Sequence, residues 1–271
     1  MTAPPLSNQV IIAGCVRDTA ASLPSVLRNI EAIAANFQQC EVVICENDSR
    51  DSSLSILHSW RDSCPLPVTI LSSHLSLVHR VRRIAWARNR ILDHIRSSHL
   101  GSYDHLIMMD MDGVNSRVSA RGVLSGFTSG EEWDVLTANQ PDYYYDHFAL
   151  RTPRYDLNPY SPSERYKWIN GTNLKYFFDT EGSDQSRIPH KRALIPVLSA
   201  FGGLAIYRLG LFEGLRYEPA AVLDEKGNHF LHPITGIEEF ECEHVDMHAK
   251  MRAKSDAKIY INARMLNRGL G

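Results

Sequence analysis

An apolar run ends in two carboxylates one residue apart, in Met108-Met109-Asp110-Met111-Asp112-Gly113. Side chains alternate along a strand, so Asp110 and Asp112 point to the same side of it. Like charges held that close repel unless a proton or a cation neutralises them. Carboxylate oxygens are hard ligands that suit Mg²⁺ or Mn²⁺, ions that keep coordination positions open for phosphate oxygens. The same residues also make an ordinary solvated turn after a strand, where Asp and Gly are common.

Three further stretches carry candidate chemistry. Glu46-Asn47-Asp48-Ser49-Arg50-Asp51 closes a second apolar run. Its carboxylates and amide can hydrogen-bond a base or a ribose; alternatively, Ser49 or Asp51 caps the helix that follows. Capping accounts for Asp51 but does not call for Asn47 and Asp48. A predicted helix then carries Arg80, Arg82, Arg83, Arg88 and Arg90 around an apolar stripe of Val81, Ile84, Ile91, Leu92 and Ile95. Helical spacing from Ile84 and Ile91 puts Arg88 on the inward face, where a guanidinium needs a carboxylate or a phosphate. The partner is either a structural ion pair, with Asp48 or a strand-end Asp, or a nucleotide diphosphate. The outward arginines read as a solvated face.

The third stretch is Glu239-Phe240-Glu241-Cys242-Glu243-His244-Val245-Asp246-Met247-His248. His244 and His248 fall one helical turn apart, so one metal could bridge them. A hydrolytic zinc helix needs Glu directly after the first His, and Val245 stands there. Glu243 and His244, at a helix start, are candidates for general base and metal ligand. Their other reading is helix capping, with His248 on the surface.

These residues need elements to position them. Apolar runs at Val10–Ala13, Val42–Cys45, Val68–Leu71 and Leu106–Met109 read as buried strands, and Lys258–Ile261 as a last one. Residues 22–36, 51–60 and 81–95 have helical apolar spacing, and 243–252 reads as a further helix. Repeated β-α units with short, fully apolar strands predict an α/β fold, a mostly parallel central sheet flanked by helices. Ligands of such sheets bind outside the carboxyl ends of the strands. Residues 140–195 lack periodicity and read as loops or small antiparallel pieces. Phe201-Gly202-Gly203 reads as a turn into a strand.

Composition excludes several classes. The 29 basic and 31 acidic residues give a formal net charge of -2, so no global field grips nucleic acid. Five cysteines without a C-x-x-C pair argue against a disulfide framework or a zinc ribbon. No run approaches the roughly 18 apolar residues of a membrane span, and no signal peptide is read. The expectation is a cytoplasmic protein.

In order and spacing these pieces resemble a GT-A fold glycosyltransferase of the family-2-like type, from Val10 to Ile261. The matching pieces are the acidic turn Glu46-Asn47-Asp48-Ser49, the Ala87-Arg88-Asn89 element, Asp110 and Asp112 as the D-x-D pair, Gly202-Gly203 running to Tyr207-Arg208, and Glu243-His244 with Arg252. The Asn-Asp-Ser-x-Asp turn is similar to that of fungal capsule-associated mannosyltransferases. The resemblance implies one GT-A (Rossmann-like) domain over residues 1–271, with a nucleotide-sugar half at 1–115 and a loop-rich acceptor and catalytic half at 116–271. It implies a UDP- or GDP-sugar donor bound by Cys15, Arg17, Glu46, Asn47, Asp48, Arg83, Arg88, Asp110, Met111 and Gly203. It implies Mn²⁺ or Mg²⁺ held by Asp110, Asp112 and His244, and a glycan or other hydroxyl acceptor. The family usually has Asp where His244 stands. Either Glu243 or Glu241 is then the base, or His244 binds the metal in a retaining enzyme. Tyr143, Tyr144, Tyr145, Trp168 and Tyr176 would offer aromatic surfaces to an acceptor sugar, or form plain core under long loops.

Two other readings stand beside this one. Asp110-Met111-Asp112-Gly113 resembles the nucleophile loop of haloacid-dehalogenase-type phosphatases, with Asp110 attacking phosphate. That family places the loop on its first strand, whereas three β-α units precede it here. The other reading is a non-catalytic nucleotide-sugar or carbohydrate-binding module.

Overall fold

The computed structural model describes residues 5–75, 79–153, 188–191, 194–224, 226–231 and 236–267. The elements in chain order are β1 (Leu6–Val16), α1 (Leu23–Ala34), β2 (Phe37–Asn47), α2 (Ser53–Ser63), β3 (Val68–Ser73), α3 (Arg80–Arg96), β4 (His105–Asp110), α4 (Ala120–Phe127), β5 (Val135–Asn139), β6 (Leu194–Pro196), β7 (Leu204–Arg208), α5 (Glu243–Ser255) and β8 (Ile259–Leu266).

The eight strands form one sheet in the order β3-β2-β1-β4-β7-β5-β8-β6. β3, β2, β1 and β4 are parallel neighbours. β7 runs antiparallel between β4 and β5. β5 and β8 are parallel, and β6 is an antiparallel edge. The strand order reverses between β1 and β4, which makes the carboxyl ends of those two strands the switch point where such sheets take ligands.

Both faces of the sheet are covered. On one, α1 packs Leu23, Val26, Leu27, Ile30, Ile33 and Ala34 with Leu57 of α2 and Val123 of α4. On the other, Ala85, Ala87, Ile91, Leu92 and Ile95 of α3 pack with Met247 and Met251 of α5. Each large aliphatic side chain so buried contributes about 1.5–3 kcal/mol, which is why the apolar stripes in the sequence locate these helices. Gly14 of β1 faces Met109 of β4 with no room for a side chain: a Cβ there would sit 2.6 Å from the Met109 carbonyl oxygen and from the Met111 side chain.

Some boundaries differ from expectation. The N-cap of α2 is Ser52, not Ser49 or Asp51. Ser49 instead accepts a hydrogen bond from Asp18 N, and Asp51 accepts from Ala20 N and Ser53 N. These bonds tie the loop after β1 to the loop after β2. His248 is fully buried, against the capping reading that put it on the surface. α4 and β5 lie in a stretch where the sequence showed no clear element.

Candidate active site

Two adjoining cavities open at the carboxyl ends of β1 and β4. The smaller, about 200 Å³, is lined by Cys15 near the end of β1 and Arg17 just after it, Asn47 at the end of β2, Arg83 of α3 and Met111. The larger, about 550 Å³, is lined by Tyr145, Asp146 and Phe148, Phe201, and Glu243 and His244 of α5. Arg80, Ile84, Arg88, Asp110 and Asp112 line both. Strand β4 thus delivers its two carboxylates to the boundary between the cavities.

Arg88 stands at the centre of this boundary, only 4% exposed. Its guanidinium is ion-paired with Glu243, and lies 3.4 Å from Asp110. It also lies over the Phe201 ring, 4.9 Å from the centroid. Burial alone would lower its pKa, but Glu243 and Asp110 outweigh burial and hold it fully charged. Of the partners the sequence offered Arg88, the strand-end Asp is present and is joined by Glu243; Asp48 is not one.

Asp110 has 37% of its side chain open to the cleft. Enclosure raises its pKa and Arg88 opposes that rise, while Asp112, Asp146 and Glu243 reinforce it; the net effect pushes the carboxyl up to about 7. Asp112 is exposed, and its Oδ1 accepts from Val114 N at 3.0 Å, which turns the chain after the strand. Asn115 braces this turn by donating to the carbonyl oxygens of Asp110 and Gly203.

The donor set suits a hard divalent cation in one respect. Four carboxylates, Asp110, Asp112, Asp146 and Glu243, line the larger cavity against two arginines. Among the described residues, no three His, Cys, Asp or Glu groups converge as a metal-holding cluster. Asp110 and Asp112 alone would leave most coordination positions of such a cation to a ligand's phosphate oxygens or to water.

The residues expected to bind ligand divide into two groups. Cys15, Arg17, Asn47, Arg83, Arg88, Asp110 and Met111 line the smaller cavity. Glu46, Asp48 and Gly203 line neither of the two. Glu46 accepts from Ser49 N and Ser72 Oγ, and Asp48 accepts from Leu75 N and faces His74. These bonds join the ends of β2 and β3. Gly203, at φ 86°, ties its carbonyl to Asp110 N, and a Cβ there would meet Val114 at 2.7 Å. Glu241 is ion-paired with Arg151 and lines neither cavity. Of the aromatics, Tyr145 lines the larger cavity, Tyr144 is fully buried core, and Tyr143 is 59% exposed; Trp168 and Tyr176 lie outside the described residues.

Sequence reasoning missed Asp146, Phe148, Phe201 and the role of Arg80. Asp146 accepts from Gly202 N and Ala149 N, yet burial still raises its pKa. A carboxylate directly after three tyrosines was the available signal.

No family model matches the chain, and no curated protein matches it in sequence. Solved structures do match. The mannosyltransferase PcManGT from Pyrobaculum calidifontis, solved with GDP-Man and Mn²⁺, aligns with 98% of this chain at 13% identity and a TM-score of 0.53. The chain has the GT-A glycosyltransferase fold. It spans 59% of the length of PcManGT. S. aureus TarS 1–349 with UDP aligns over 96% of this chain and 60% of its own, at 12% identity and a TM-score of 0.47. Glucosyl-3-phosphoglycerate synthase from Mycobacterium tuberculosis with UDP aligns over 96% and 69%, at 9% identity and a TM-score of 0.43. Within the GT-A fold Asp110 ends the fourth strand, not the first, where the phosphatase alternative requires its nucleophile. Among the described residues, no helix is long and apolar enough to cross a membrane.

Proposed function

We propose that this protein is a metal-dependent glycosyltransferase that moves a sugar from a UDP- or GDP-linked donor to a hydroxyl acceptor such as a glycan. The observation that carries this reading is the pair of cavities with contrasting walls, joined at Asp110, Asp112 and Arg88. The smaller has Arg17, Arg80 and Arg83 for a diphosphate and Asn47 for the nucleoside. The larger is acidic and aromatic, which suits an uncharged sugar better than a phosphate.

Asp110 and Asp112 would hold Mn²⁺ or Mg²⁺. Such a cation supplies charge neutralisation at a diphosphate leaving group. Arg88 is engaged by Glu243 and Asp110, so its part is to keep those carboxylates in place at the junction. Asp146 lines the larger cavity with a raised pKa and makes no ion pair among the described residues, whereas Glu243 is held by Arg88 and Glu241 by Arg151. Asp146 is therefore the carboxylate placed to take the acceptor proton. Phe148, Phe201 and Tyr145 exclude water around it and offer faces to a sugar ring.

The test is calorimetric binding of UDP-sugars and GDP-sugars with and without Mn²⁺, in the natural chain and in Asp112→Ala. Metal-dependent binding that the variant loses supports the reading. Binding that ignores both metal and substitution overturns it.

A further inference from the structure

Behind the larger cavity lies a row of four polar side chains that the proposed reaction does not use. Ser199 Oγ is 2.9 Å from His248 Nδ1. His248 Nε2 is 3.0 Å from Tyr207 Oη. Tyr207 Oη is 3.3 Å from His244 Nδ1. The row ends at His244 Nε2, which is buried in the wall of the larger cavity with no hydrogen-bond partner among the described residues. All four residues are at most 1% exposed. Burial, the first cause, and the nearby Arg88 guanidinium keep both histidines neutral, so each ring carries one N–H.

Were both rings to donate to Tyr207 Oη, its own hydrogen would need another acceptor, and the neighbouring Tyr217 Oη makes no hydrogen bond among the described residues; a row bonded throughout therefore runs in one of two directions. In the first, Ser199 donates to His248 Nδ1, His248 Nε2–H donates to Tyr207, Tyr207 donates to His244 Nδ1, and Nε2–H of His244 faces the cavity. In the second, every bond is reversed: the Ser199 hydroxyl hydrogen is left buried without an acceptor, and a bare lone pair on His244 Nε2 faces the cavity. An orphaned buried donor costs about 1–3 kcal/mol. The surrounding charges largely cancel: Glu243 Oε1 lies 3.9 Å from His244 Nε2 and attracts an N–H, while the Arg88 guanidinium paired with Glu243 and Asp110 favours a lone pair. The buried Ser199 hydroxyl therefore sets the direction. Stacking on Phe201, with centroids 3.8 Å apart, and the edge-on Tyr217 ring fix the His244 ring plane.

We infer that Ser199, His248 and Tyr207 are positioning residues that hold His244 as a hydrogen-bond donor, through Nε2–H, to a hydroxyl oxygen of the ligand in the larger cavity. His244 then acts as a donor and not as the metal ligand that the sequence resemblance implied. The direction of the row does not depend on the proposed function; the identity of the ligand does.

The deciding measurement is the imidazole ¹H–¹⁵N correlation spectrum of the metal-free protein with ¹⁵N-labelled histidine, the rings assigned from His244→Gln and His248→Gln. The expected result is Nε2–H for both His244 and His248. In Tyr207→Phe the His248 Nε2–H loses its acceptor, so His248 should switch to Nδ1–H and donate to Ser199, a change that a purely space-filling Tyr207 would not cause. An Nδ1–H tautomer at His244 in the natural chain overturns the inference and restores the metal-ligand reading, whether or not the protein transfers sugar. In transfer assays His244→Gln keeps an N–H and should hold the acceptor KM within about threefold, while His244→Leu should raise it about tenfold or more, the worth of one buried hydrogen bond. An equal rise in both variants overturns the donor role.

Discussion

The Arg88 side chain was legible in the sequence because it interrupts an apolar helical stripe, and the structure puts it between Glu243 and Asp110. What the sequence could not supply was the partner from α5, which lies 155 residues further along the chain. Removing one member of a buried pair leaves an uncompensated charge and costs about 3–5 kcal/mol. Arg88→Met should therefore lose stability of that order in urea unfolding. The double variant Arg88→Met with Glu243→Met should lose less than the two single variants summed, leaving a coupling energy of about 1–3 kcal/mol. Asp146 carries a second prediction at this scale: Asp146→Asn should lower kcat about a hundredfold or more, the usual contribution of a general base, with donor affinity unchanged by calorimetry. Normal turnover would move the base to Glu243. Glu46, Asp48 and Gly203 line neither of the two cavities, and the sequence could not show this for one physical reason. Residues that shape a ligand loop and residues that touch its ligand share types and spacing, and only their hydrogen-bond partners separate them.

At the level of elements, the strands and helices that bury a continuous apolar face were readable. β1, β2, β3, β4, α1 and α3 stand where periodicity put them, with no end shifted by more than five residues. α4 escaped notice because it is only eight residues long and contains Gly122 and Gly126, which weaken any helical signal. The glycines are there for packing: a Cβ on Gly126 would sit 2.4 Å from Leu136 of β5, and one on Gly122 3.0 Å from the Arg264 carbonyl of β8. At the junction of β1 and β4, Gly14→Ala should cost about 1–3 kcal/mol through overpacking. The same change should disturb the smaller cavity, since Met111 would have to move from its wall. Differential scanning calorimetry measures the first effect, and weaker nucleotide affinity in a variant that still folds measures the second.

For the molecule as a whole, buried neutral histidines set the response to acid. Burial holds His105 and His147 at about 4 and His248 at about 3, against an ordinary value of 6.5. Between these values the unfolded chain binds more protons than the native one, so stability is full above about pH 6.5 and falls as the pH drops toward 4. Asp110 and Asp146 have raised pKa values and act in the opposite sense, but they are outnumbered once His244 is counted with the other histidines. The urea midpoint should therefore decline from pH 7 to pH 4.5. His105→Phe, which keeps an aromatic ring against Phe127 and Trp133, should show a shallower decline by up to about 1.4 kcal/mol per pH unit. An identical slope in that variant would remove His105 from the account.

The position of β8 has a consequence for how the chain is made. Although it is the last of the described strands, it is not at the edge of the sheet: it lies between β5 and β6. β5 formed more than a hundred residues earlier, and until Ile259 to Leu266 arrive it presents an unpaired row of backbone groups, with β6 lacking its neighbour altogether. During synthesis the first four parallel strands, and then β7 with β4 and β5, can pair from sequence already made, while β6 and the free edge of β5 wait for Ile259 to Leu266. A ribosome-bound chain stopped before Ile259 should thus be open to proteases at β6, exposing the edge of β5 as a sticky strand to its neighbours on a polysome.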